Sequence, residues 1–161
     1  MPETSTSAVP SGASRAGQRR EPTLLYVIKQ VELAVRARLD EILRPAGISV
    51  LQYTALTVLE RQPDMSSAQL ARNSFVTAQS MADMVESLEE RGLIERHRDP
   101  HDRRRLVLAL TTDGQKLLRR FRPQVAALEE EMLDGLTQRQ AADLRRSLSA
   151  CRAALADRPL H

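Results

Sequence analysis

Residues 74–112 constrain the fold most tightly, reading SFVTAQSMADMVESLEERGLIERHRDPHDRRRLVLALTT. Thr77 suits an N-cap, because its hydroxyl can accept from a backbone N–H left unpaired in the first helical turn. Met81, Met84, Val85 and Leu88 then recur at three- and four-residue spacing, which gives one apolar helical face. Gly92 predicts the helix end, since glycine takes a left-handed backbone at little cost. Two short strands should follow, Leu93–Arg98 and Arg105–Leu110, joined by Asp99-Pro100-His101-Asp102-Arg103-Arg104. A helix followed at once by an arginine-rich hairpin suits a chain that lays both on DNA.

Upstream, two more helix starts carry the same chemistry. Ser49 with Gln52, and Ser66 with Gln69, are capping-box pairs on either side of the turn at Pro63-Asp64. The helix from Ser66 should end near Asn73, and with the helix from Thr77 it makes a helix-turn-helix. Before them Leu24, Ile28, Val31, Val35, Leu39 and Ile42 mark a long helix, with Pro22 in its first turn and its end near Pro45. After the hairpin, Thr112 with Gln115 reads as a third capping box, Pro123 as a bend and Gly135 as a stop. Thr137 with Gln140 opens a last helix whose Ala141, Leu144, Leu148, Cys151 and Leu155 form a heptad-like seam. The long helices carry more apolar face than a small lobe can cover, so a second copy is expected to bury it.

The stretch resembles the MarR family of winged helix-turn-helix transcriptional regulators. The likeness rests on Leu88-Glu89-Glu90-Arg91-Gly92-Leu93-Ile94, followed by the wing Asp99-Pro100-His101-Asp102-Arg103-Arg104 and by Leu108-Ala109-Leu110-Thr111. The family's Asp-x-Arg wing pattern is matched by Asp102 and Arg104. The resemblance spans roughly 24–155 and implies a mainly α fold: a winged helix-turn-helix with a two-stranded wing and long N- and C-terminal dimerisation helices. One MarR-like domain is then expected at 22–158, with the winged lobe at about 48–111 and the dimerisation helices at about 22–45 and 112–156. Residues 1–21, rich in Ser, Thr, Ala, Gly and Pro and ending in Arg15, Arg19 and Arg20, read as a disordered basic tail.

Double-stranded DNA is the expected partner. Free N–H groups at the start of the Thr77 helix can grip phosphate, and Thr77, Ala78, Gln79 and Ser80 occupy that turn. Gln79 can bond adenine N6 and N7, Ser80 several bases, and Asp83, one turn on, only cytosine N4. Asp102 is expected to orient the Arg104 guanidinium for a narrow minor groove, where the potential is most negative. Side-chain alternation would point Arg103 and Arg105 the other way, toward phosphate or water. Arg72 could reach a phosphate or simply lie on the surface.

Composition narrows the alternatives. Of 24 Lys and Arg residues only Lys29 and Lys116 are lysines, a bias that suits phosphate and guanine and equally a GC-rich genome. With three histidines and one cysteine, no nucleophile–base set, phosphate loop or paired metal ligands can be assembled, so neither an enzyme nor a cofactor is expected. His97 and His101, beside Asp99 and Asp102, have a spacing that suits a helix and not a hairpin, so no metal is expected. Cys151 lies on the apolar seam and reads as packing. No apolar run reaches membrane-spanning length and no signal-peptide core opens the chain, so a cytoplasmic protein is expected. The resemblance adds a small aromatic or phenolic effector held between the dimer helices and the winged lobe. Tyr26 and Tyr53 are the candidates for its contacts, and core aromatics would look the same. A pseudo-palindromic operator, repression and ligand response complete the expectation. A winged-helix module for protein contacts is the alternative.

Overall fold

The computed structural model describes residues 21–74 and 76–156, so the tail expected at 1–21 lies outside the described residues apart from Glu21. Six α-helices and one hairpin follow in order: α1 Leu24–Leu43, α2 Val50–Arg61, α3 Ser67–Ser74, α4 Ala78–Glu90, β1 Ile94–Arg98, β2 Leu106–Leu110, α5 Thr112–Met132 and α6 Gln138–Ala156. A 3-10 turn, Arg44–Ala46, joins α1 to α2.

The caps show why the helices start where they do. Ser49 and Gln52 bond each other reciprocally at the head of α2. Ser66 and Gln69 repeat the exchange at α3, and Thr137 and Gln140 at α6. Thr77 Oγ1 accepts from the Ser80 N–H at 3.1 Å and starts α4. Two starts differ from expectation. Pro22 precedes the α1 cap, which is Thr23. The α5 cap is Thr111 and not Thr112: its hydroxyl accepts from the Gly114 N–H at 3.1 Å and donates to the Gly92 carbonyl at 2.6 Å. The sequence offers two adjacent threonines with a similar look-ahead. The strand decides between them, because β2 ends at Leu110 and delivers Thr111 in extended backbone with its hydroxyl over Gly92.

The core lies among α2, α3, α4, the hairpin and the first half of α5. Leu56, Leu59, Leu70, Met81, Val85, Leu88, Val107 and Leu118 are fully buried there, with Leu43 from the end of α1. Each such aliphatic side chain stabilises the fold by about 1.5–3 kcal/mol relative to exposure. Leu39 and Ile42 of α1 also pack against this core, while the N-terminal half of α1 and all of α6 lie largely outside it. Leu24, Leu25, Val31 and Leu33 are exposed, and α6 buries no side chain in the described chain. Cys151, expected to pack, is therefore exposed along with its seam neighbours Leu148 and Leu155. Pro123 sits inside α5, which continues unbroken to Met132.

Gly92 closes α4 at φ +66°, where a side chain would be strained. Gly114 is needed for a different reason. A Cβ there would stand 2.1 Å from the Leu93 carbonyl oxygen, which itself accepts from the Thr111 N–H at 3.2 Å. The obstacle is backbone fixed by the cap, so it cannot yield as a side chain would. Gly114→Ala should lower stability by about 1–3 kcal/mol, the range for overpacked sites. An unchanged urea midpoint for that variant would show that the α5 start is not pinned to Leu93.

Candidate nucleic-acid interface

The first turn of α4 presents polar side chains to solvent. Thr77, Ala78, Gln79, Ser80 and Asp83 are all exposed, while Met81, Val85 and Leu88 face the core. Two of the polar groups are arranged by their neighbours. Gln79 Nε2 donates to Asp83 Oδ1 at 3.0 Å, which leaves its carbonyl oxygen and one amide hydrogen outward. Thr77 Oγ1 donates to Ser80 Oγ at 3.0 Å. Arg72 is exposed on α3, with no hydrogen bond or ion pair from its side chain among the described residues.

β1 and β2 pair antiparallel in the register Ile94↔Leu110 to Arg98↔Leu106. Val107 and Leu108 face inward. The loop before α3 adds a further rung, since Leu108 N–H donates to the Met65 carbonyl at 2.8 Å and Asp64 N–H to the Leu108 carbonyl at 3.2 Å. Three side-chain contacts then fasten the hairpin to α3, α4 and the loop before α3. Arg96 Nε meets Glu89 of α4 at 2.7 Å, His97 Nε2 meets Asp64 at 2.9 Å, and Arg105 Nη2 donates to Gln69 of α3 at 2.8 Å. Behind α4, Arg91 fastens the helix end to the turn before α2, donating to the Ala46 and Gly47 carbonyls at 2.6 and 2.7 Å. Spacing could not have shown these pairs. Gln69 was legible only as a cap, and Asp64 only as a turn residue.

At the wing tip the structure corrects one assignment and qualifies another. Asp102 Oδ1 accepts from the Arg104 backbone N–H at 3.0 Å, so the carboxylate shapes the turn and does not hold the guanidinium. A short Asp side chain bonds a backbone N–H two residues on more readily than it reaches the far end of an arginine. Residues 103–105 belong to the turn and not to a strand, so the alternation expected for them does not apply. Arg98 Nη1 donates to the Arg103 carbonyl at 3.1 Å. Asp99 Oδ1 accepts from the His101 N–H at 2.8 Å. That bond is the main cause of an Asp99 carboxyl held below its usual range; the nearby Arg105 charge adds to it. Among the described residues the guanidinium groups of Arg103 and Arg104 meet no carboxylate within 4 Å and donate to nothing, whereas those of Arg96, Arg98 and Arg105 are all engaged.

His97 and His101 are thus tied to Asp64 and to the turn, and no group of three or more metal-ligating side chains occurs among the described residues. Tyr26 is exposed and accepts from Gln30 at 3.0 Å. Tyr53 is buried, which raises its pKa, and Glu60 raises it further while Arg122 opposes. Neither tyrosine lines the two open cavities. One, of about 480 Å³, lies between α1 and α5 over Val31, Val35, Leu128 and Met132. The other, of about 440 Å³, lies where α2, β2 and α5 meet, with Leu59, Leu110, Gln115 and Arg119 in its wall. No single helix of the described residues is long and apolar enough to cross a membrane.

Known proteins share this arrangement. The MarR family profile matches residues 46–105, from the turn before α2 to the tip of the hairpin. An HTH-type transcriptional repressor of Mycobacterium tuberculosis is 30% identical over 132 residues, covering 82% of this chain and 95% of the relative. The chain belongs to the MarR family. Among solved structures, the transcriptional repressor CouR bound to a 23-mer DNA duplex is 30% identical, with TM-score 0.68 over 81% of this chain and 92% of that one. CouR from Rhodococcus jostii bound to p-coumaroyl-CoA superposes with TM-score 0.77 at 23% identity, over 90% of this chain and 99% of that one. As a MarR-family protein the chain is a DNA-binding transcriptional regulator and not an enzyme. Its two-stranded hairpin is the wing and α3–α4 the helix-turn-helix.

The Asp102 geometry has a direct consequence. Asp102→Ala should speed hydrogen exchange at the Arg104 amide, because the N–H loses its acceptor. Asp102→Asn keeps a side-chain oxygen there and should stay near wild type. Fast exchange in the Asn variant would mean that the charge, and not the turn, is what matters.

Proposed function

We propose that this regulator is a repressor that acts in the cytoplasm, with two copies presenting two α4 helices and two wings to one pseudo-palindromic duplex. The observation that carries this reading is the contrast among the wing arginines. Three are used inside the protein, and Arg103 and Arg104 extend uncommitted from a turn built by Asp99 and Asp102. An unpaired cation on a braced hairpin suits a minor groove, and Arg104 is the residue we assign to it. Gln79, with its amide fixed by Asp83, reads a base edge in the major groove, and Ser80 lies beside it. The Thr77–Ala78 turn, Arg103 and Arg72 hold phosphates.

Dimerisation is supported by the exposed apolar faces of α1 and α6. Exposed Leu24, Leu25, Leu144, Leu148 and Leu155 form more apolar surface than a lone chain would leave in water. We accordingly place the winged lobe at about 48–111 and the dimerisation helices at about 22–45 and 112–156. A small aromatic effector would fit the cavity where α2, β2 and α5 meet. Its apolar residues would take a ring and Arg119 a polar group on it, with Glu60, engaged by Arg122, on the same wall. Occupation there would release DNA by favouring a spacing of the two lobes unsuited to the duplex.

Arg104→Ala should weaken operator binding by about 1–3 kcal/mol without altering the dimer. Equal affinity of the two proteins for the operator would refute the wing assignment. Leu148→Ala should loosen the dimer by about 2–5 kcal/mol, the cost of truncating a buried leucine. Sedimentation of the wild type as a monomer at micromolar concentration would contradict the two-fold arrangement.

A further inference from the structure

Arg105 is placed unlike the two arginines before it. Its guanidinium leaves the hairpin tip, with Nη2 donating to Gln69 Oε1 at 2.8 Å and Nη1 3.9 Å from Asp99 Oδ2. The same Gln69 oxygen accepts from the Ser66 N–H at 2.9 Å and from the Ser66 hydroxyl at 3.0 Å. Those are the bonds that start α3. The main chain of Arg105 closes the hairpin as well: its carbonyl accepts from the Asp99 N–H at 3.0 Å and its N–H donates to the Asp102 carbonyl at 2.9 Å. One residue therefore shuts the wing and fastens it to the helix-turn-helix. We infer that Arg105 and Gln69 are positioning residues for DNA sequence recognition, a strut that sets the wing's angle against α3 so that Arg104 meets the groove, with Arg105 making no phosphate contact of its own.

The chemistry favours such a strut. A guanidinium is a planar fork whose donors are fixed relative to one another, so a bond to one acceptor also restricts the direction of the chain. A hydrogen bond from a charged donor is stronger than a neutral one. Gln69 suits the receiving end because its oxygen is already held by Ser66. The other two wing ties, Arg96–Glu89 and His97–Asp64, join β1. Arg105–Gln69 is the tie that reaches the turn side of β2, nearest to Arg103 and Arg104 in sequence. The inference rests on the reading that the wing enters a groove beside the base pairs met by α4.

The test uses the full chain. Wild-type protein selects its operator from a pool of random duplexes. Binding is then measured on duplexes changed one pair at a time, at the flanks and at the half-site centres. Arg105→Ala should lower the preference at the flanks roughly fivefold, the lower end of what one base pair decides in a site. Preference at the centres, the thermal midpoint and the salt dependence should all stay as in wild type. Gln69→Ala should lose the same flank preference, and the double variant should lose no more than either alone. Gln69→Glu, which keeps both the cap and a partner for Arg105, should retain it.

Three results would overturn the strut while leaving the groove reading intact. Unchanged flank preference in Arg105→Ala means that nothing is being positioned. Additive losses in the double variant mean that the two residues act separately. A salt slope shallower by about one in Arg105→Ala identifies a lost phosphate contact instead. A wild type that selects no sequence removes the groove reading, and the strut falls with it.

Discussion

A two-stranded hairpin is marginal in water by itself, so everything this regulator does at its wing depends on what holds the hairpin still. The structure answers with a layered set of bonds. Leu108 pairs with β1 on one side and with Met65 on the other, so β2 is a middle strand in all but name. Val107 and Leu108 anchor the base in the core. Glu89, Asp64 and Gln69, one each from α4, the loop before α3, and α3, take the side chains of Arg96, His97 and Arg105. Each exposed pair contributes little by itself. Together they fix a direction, and direction is what a side chain needs to enter a groove.

The reading helix supplies little of the positive charge that DNA binding requires. No lysine or arginine lies between Arg72 and Arg91, and Asp83, Glu86, Glu89 and Glu90 all fall on α4. On the proposed reading, affinity would come from the helix N-terminus and from the wing, while the exposed face of α4 would contribute selectivity. An acidic helix discourages loose contact with arbitrary sequence, because each carboxylate opposes phosphate wherever the protein lands. Such a division of labour would suit a wing braced so heavily. Glu89 serves both ends, since the carboxylate that would repel phosphate is committed to Arg96.

Much of this was legible in the sequence, for reasons that are local. Capping pairs such as Ser49–Gln52 and Thr137–Gln140 act over three residues, and the periodicity of Met81, Val85 and Leu88 over two turns, so composition and spacing reveal them. Gly92 marked the helix end because its φ requires it. What stayed hidden was set by tertiary contact. The choice between Thr111 and Thr112 depended on where β2 delivers the chain, and the partner of Asp102 on the turn it closes. Arg105 looked like its neighbours in a run of three. Only the approach of α3 separates it from them. Cys151 and its seam read as packing because heptad spacing reports an apolar face, not what covers it.

On the proposed reading, the wing enters the minor groove while α4 enters the major groove. Inosine–cytosine pairs separate the two most directly, since they present the minor-groove face of A·T and the major-groove face of G·C. Operators carrying A·T→I·C at the flanks should bind like the parent, and A·T→G·C at the same places should bind more weakly. At the half-site centres both replacements should cost alike. If the flank I·C duplexes bound as weakly as their G·C counterparts, the wing would be reading a major groove, and this account of its bracing would be contradicted.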